Sequence, residues 1–100
     1  MTTQISKEAK QKIDELCRKY KVKELSLFGS RGRGDFSENS DFDFLVEFNP
    51  DADIGLFQFS KIQIALEEVL GTDVDLVSKK GLRARIKERV LSEAEIVYAQ

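Results

Sequence analysis

LFGSRGRGDFSENSDFDFLVEF, residues 27–48, carries two strands and a glycine-rich link between them. In its last eight residues Phe42, Phe44, Val46 and Phe48 alternate with Asp41, Asp43, Leu45 and Glu47, the period of a β-strand with one apolar face. Asn49-Pro50-Asp51 is turn chemistry and ends that strand. Upstream, Val22 to Phe28 alternates, is rich in strand formers and stops at Gly29-Ser30. The intervening residues 29–40 hold three glycines and no aliphatic side chain, which is the composition of a loop.

Working outward, the N-terminal segment has a helical period. Ile5, Ala9, Ile13, Leu16, Cys17 and Tyr20 fall on one stripe, with Ser6 placed as an N-cap. Cys17 lies within that stripe and reads as core packing rather than a reactive thiol. Downstream, a second helix is expected from about Gly55 to Leu70. Phe59, Ile62, Leu66, Val69 and Leu70 form its main apolar face, and Gly71 caps it. At about 100° per residue, Phe57 and Ile64 fall nearly opposite that face, so this helix offers a second apolar surface. Val74–Val77 reads as a short strand and Leu82–Leu91 as a basic amphipathic helix. Ile96-Val97-Tyr98 reads as a final edge strand. The order αβ(loop)βαβαβ predicts an α/β (α+β) fold: a small mixed β-sheet with helices packed on one side. One hundred residues suffice for one domain, 1–100.

Composition removes several chemistries. The chain has no histidine, which excludes Ser-His-Asp and Cys-His nucleophile pairs and histidine zinc sites. A lone cysteine excludes an intramolecular disulfide and fits a reducing cytoplasm. No apolar run reaches the ~20 residues of a membrane span, and MTTQISKEAK has no signal-peptide core. Catalysis must therefore run on carboxylates, hydroxyls, Lys and Arg. The net charge of −2 conceals an ordering: +3 over residues 1–40, −8 over 41–78 and +3 over 79–100. An acidic centre between basic ends suits divalent cations presented to phosphates better than a continuous nucleic-acid surface. Lys79, Lys80, Arg83, Arg85, Lys87 and Arg89 could serve a nucleic-acid-binding module. Such a run is more often the solvated face of an amphipathic helix, and little aromatic interleaving is present to stack bases.

Three pieces carry the candidate chemistry. Asp41 and Asp43 emerge from one face of their strand with Cα atoms about 7 Å apart. An Asp-x-Asp pair can be the solvated face of an edge strand. Here the opposite face is four apolar side chains, so the strand reads as buried, and two like charges on it call for a cation between them. Gly29-Ser30 directly follows a strand, where glycine permits close backbone approach. N–H groups with the Ser30 hydroxyl could hold a phosphate there, with Arg31 and Arg33 as cationic donors. Alone, Gly-Ser is an ordinary turn, and neither a Walker A loop nor G-x-G-x-x-G is present. Asp75 sits inside the apolar V-D-L-V. It is either a strand-end polar residue or, on a strand beside Asp41 and Asp43, the third member of a carboxylate cluster.

Gly29-Ser30, ten residues, Asp41-x-Asp43, and a third Asp about thirty residues on: this resembles the nucleotidyltransferase superfamily that includes DNA polymerase beta, poly(A) polymerases and kanamycin nucleotidyltransferases. The likeness is greatest to its smallest branch, the minimal nucleotidyltransferases (MNT) that pair with HEPN proteins, and it extends from the first helix to Tyr98. The resemblance implies that Asp41, Asp43 and Asp75 bind metal and catalyse, Asp75 orienting or deprotonating the acceptor hydroxyl. It implies that Gly29 and Ser30 hold the terminal phosphates, with Arg31 and Arg33 beside them. Gly32 stands where alanine is more usual. Two Mg²⁺ ions, or Mn²⁺, with ATP as substrate are implied, and so is AMP transfer to a tyrosine hydroxyl of a HEPN toxin. The chain would then be the antitoxin of a type VII-like toxin–antitoxin pair, cytoplasmic and in a hetero-oligomer, without membrane or direct nucleic-acid binding. The alternative is a non-catalytic antitoxin that neutralises its partner by complex formation alone.

Overall fold

The computed structural model describes residues 5–28, 42–81, 88, 92 and 94–100. Helix α1, Lys7–Lys19, starts at Ser6, whose Oγ accepts from the Ala9 N–H at 3.1 Å. A cap of this kind contributes about 1 kcal/mol. Ala9, Ile13 and Cys17 are buried along its inner stripe. Strand β1, Val22–Phe28, follows after a one-residue reversal at Lys21, which takes a left-handed φ of 57°. Asn49, just past the paired strand, fastens this corner with its N–H and its side-chain amide, both donating to the Lys21 carbonyl.

Strand β2, Phe42–Phe48, pairs antiparallel with β1. Helix α2, Leu56–Leu70, then carries the chain across to β3, Val74–Ser78, which lies parallel to β2. A parallel neighbour needs a crossover of this length, and α2 supplies it. α2 is closed at its start by Gln58, whose Oε1 accepts from the Gly55 N–H, and at its end by Gly71 with φ 69°. A 3₁₀ turn, Lys79–Gly81, follows β3, and β4, Glu95–Ala99, pairs antiparallel with β1 through an irregularity between Leu25 and Ser26. The sheet order is β3-β2-β1-β4, so the expected C-terminal edge strand is in place and β2 is central. The expected helix over 82–91 lies outside the described residues except for Glu88, which is helical.

α1 and α2 contact each other and pack on one face of the sheet, over a core in which Ile13, Leu27, Phe44, Val46 and Leu66 have no exposed surface. The Phe42 and Phe44 rings stack at 6.0 Å, which fixes the apolar face of β2 toward the helices. Ser26 and Leu45, register partners on the opposite face, are also buried, at 3% and 4% exposure. Burial on that second face is something the helices-on-one-side expectation did not include.

Candidate active site

The burial of Phe42, Phe44 and Val46 against the helices forces Asp43 onto the other face of β2, because side chains alternate along a strand. The parallel register of β2 with β3 sets Asp43 opposite Asp75. Register partners share a face, and neighbouring strands lie about 4.8 Å apart, so two carboxylates stand side by side where the two strands begin. Asp43 is half-buried and Asp75 exposed, with Val74 and Leu76 on either side of it in the core. Asp75 is therefore no polar strand end. It is the outward residue of a strand whose neighbours are packed inward.

Two contacts fasten the start of β3. The Phe42 N–H donates to the Asp73 carbonyl at 3.2 Å, and the Val74 N–H donates to Glu67 Oε2 at 3.2 Å. Glu67 was not singled out in the sequence. Its signal was there to read: Glu67 and Glu68 occupy the last turn of α2, where the helix dipole disfavours acids.

Gly29, Ser30, Arg31, Arg33 and Asp41 lie outside the described residues. Their described neighbours place the approach to the site. Phe28, the residue before Gly29, is the register partner of Asp43 on β1, and Phe42, the residue after Asp41, is that of Val74 on β3. Among the described residues no group of three or more His, Cys, Asp or Glu side chains is placed to hold a metal ion. The pair that is described, two hard oxygen donors with no sulfur or imidazole beside them, is the donor chemistry of Mg²⁺ or Mn²⁺ rather than of zinc. Cys17 is no competitor: it is buried in α1, and desolvation, with Asp14 nearby, pushes its thiol from 9.0 up to about 12.

A cavity of about 390 Å³ opens at the other end of β2, lined by Phe48, Pro50, Ile54, Leu56 and Phe59 with Glu47 and Lys80 among its polar residues. Lys79 pairs with Glu47 at 3.2 Å beside it, so the carboxylate lining the cavity among the described residues is neutralised. Among the described residues that end has no paired acids, which leaves Asp43 and Asp75 as the candidate pair. On the outer side of α2, Phe57 and Ile64 are 69% and 54% exposed, as their helical spacing predicts, and Leu56 beside them is 83% exposed. Among the described residues no helix is long and apolar enough to cross a membrane.

The nucleotidyltransferase domain family matches residues 9–97. The protein adenylyltransferase MntA of Thermococcus cleftensis is 40% identical over 84 residues, 84% of this chain and 81% of that protein. A solved structure described as a minimal nucleotidyltransferase superposes with a TM-score of 0.75 at 36% identity, covering 88% of each chain. The chain is also similar to a crystal structure of a toxin–antitoxin with AMP-PNP, at TM-score 0.74 and 25% identity, covering 91% of this chain and 73% of that one. With the family match spanning the first helix to the last strand, and the sheet setting Asp43 against Asp75, this chain belongs to the nucleotidyltransferase domain family, in its minimal branch.

Proposed function

We propose that residues 1–100 form one minimal nucleotidyltransferase domain that transfers AMP from ATP to a hydroxyl, a tyrosine hydroxyl in our reading, of a HEPN-type toxin and so acts as its antitoxin in the cytoplasm. The observation that carries this is the Asp43–Asp75 pairing on adjacent strands of one sheet face. The MntA relative is named a protein adenylyltransferase, and the toxin–antitoxin structure contains an ATP analogue; both support the nucleotide and the kind of partner. The lone, buried Cys17 suits a reducing compartment.

In this reading Asp43 and Asp75, with Asp41, would hold Mg²⁺ or Mn²⁺, which would supply charge stabilisation for the leaving pyrophosphate and favour loss of the acceptor's proton. Gly29 and Ser30 hold the β- and γ-phosphates, and Arg31 and Arg33 add cationic donors. Asp75, exposed on β3, orients the incoming hydroxyl and takes up its proton. The acceptor oxygen forms a bond to the α-phosphorus as the bond from that phosphorus to the bridging oxygen of pyrophosphate breaks. No histidine is needed, because positioning and charge do most of the work in such transfers.

The test is incubation with ATP, Mg²⁺ and a HEPN-type protein that co-purifies with this chain, followed by intact-mass measurement. A gain of one or more AMP residues on the toxin, lost when Mg²⁺ is chelated, is the expected result. The second reading, an antitoxin acting by complex formation alone, draws on the exposed Phe57 and Ile64 of α2. Neutralisation of the toxin with no mass gain would select it.

A further inference from the structure

We propose that Glu67 is a positioning residue: its carboxylate, acting through the Val74 main-chain N–H, holds the first residues of β3 so that Asp75 stays beside Asp43. The inference rests on the reading of Asp75 as a metal-binding carboxylate. Among the described residues β3 is an edge strand with one strand neighbour, β2. The Asp73 carbonyl faces β2, since it accepts from Phe42. The carbonyl and N–H of one trans peptide point to opposite sides, so the Val74 N–H points away from β2, to the side where the described residues give it no strand to pair with. Glu67 Oε2 accepts that N–H at 3.2 Å. The backbone carbonyl of Glu67 also accepts the Gly71 N–H, at 2.8 Å. One residue thus fastens both ends of the three-residue link Gly71–Asp73, once through its main chain and once through its side chain. That link is what sets the phase at which β3 enters the sheet. A slip there would move Asp75 off the face it shares with Asp43, because the side-chain period of a strand is two. The position of Glu67 in the last turn of α2, against the helix dipole, is accounted for by this contact.

Three variants test it. Glu67→Gln keeps an oxygen acceptor without the charge; Glu67→Leu keeps the size without an acceptor; Glu67→Ala serves if the leucine variant does not fold. Three quantities are measured well below the melting temperature: hydrogen exchange of the Val74 amide in metal-free protein, the affinity for Mn²⁺ alone by calorimetry, and kcat and KM for AMP transfer. Loss of the acceptor should speed Val74 exchange about tenfold, weaken Mn²⁺ binding about tenfold and lower kcat more than it raises the KM for ATP, as loss of groups that orient metal ligands does. The glutamine variant should stay within about threefold of wild type on each. Asp75→Asn is titrated in parallel. If Asp75→Asn weakens Mn²⁺ binding while Glu67→Leu and Glu67→Ala do not, the positioning role is overturned and the reading of Asp75 stands. If Asp75→Asn binds Mn²⁺ as wild type does, the reading of Asp75 fails and this proposal with it. A glutamine variant as impaired as the leucine one would also overturn it, since the acceptor would not be what matters.

Discussion

Replacing Asp75 by Asn separates the two consequences of placing like charges in register. Asp75 is exposed, and it faces Asp43 across one strand spacing. Two unit charges about 5 Å apart in a water-like dielectric repel by about 0.8 kcal/mol, less once salt screens them. Asp75→Asn removes that repulsion and disturbs no packed side chain, so the metal-free protein should melt at the wild-type temperature or about 2–5 °C above it, using the usual conversion for a domain of this size. Metal reverses the ranking. At a Mg²⁺ concentration ten times its Kd, binding to the native state adds about 1.4 kcal/mol, or about 6–10 °C. A variant with tenfold weaker binding gains only about 0.4 kcal/mol at the same concentration. Scanning calorimetry of both proteins with and without Mg²⁺ reads these shifts directly. Transfer of radiolabelled AMP to the toxin should fall by about a hundredfold or more, the scale seen when one charge-stabilising group is removed from a reaction centre. Equal Mg²⁺-induced shifts in the two proteins, with transfer within about threefold of wild type, would refute the assignment of Asp75 to the metal site.

Two further outcomes are expected. Phe57→Asp with Ile64→Asp should leave the melting temperature of the isolated chain almost unchanged, because both side chains are exposed and Phe57 carries the Lys61 ammonium over its ring, at 4.5 Å. Co-purification with the toxin should nevertheless drop by about thirtyfold or more if α2 docks there, and undiminished recovery would place the interface elsewhere. For Cys17, burial raises the thiol to about 12 from 9.0, so between those values the folded chain holds a proton that the unfolded chain releases. Its contribution to stability is therefore complete below pH 9.0 and is lost as pH rises toward about 12. Urea melts across that window should show wild type losing stability faster than Cys17→Ala; parallel curves would contradict the shift.

Much of this protein is written in local pattern. Ser6 caps α1, Gly71 ends α2 and Val22 to Phe28 forms a strand because each of these depends on neighbours within a few residues, where spacing and side-chain chemistry act directly. The alternation in 42–48 likewise determined that Asp43 would face away from the helices, and helical spacing alone put Phe57 and Ile64 on the outside of α2. What no local pattern contains is register between distant strands. Asp75 could be a polar strand end or the partner of Asp43, and only the parallel pairing of β3 with β2 decides between them. The grip of Glu67 on Val74 belongs to the same class, since it appears only when the end of α2 and the start of β3 are brought together. Burial of Ser26 and Leu45 on the second sheet face was also invisible, because alternation tells which residues share a face and nothing about what lies against it. A carboxylate pair made across strands is a tertiary object: the sequence supplies Asp43 and Asp75, and the parallel register of β3 on β2 brings them together.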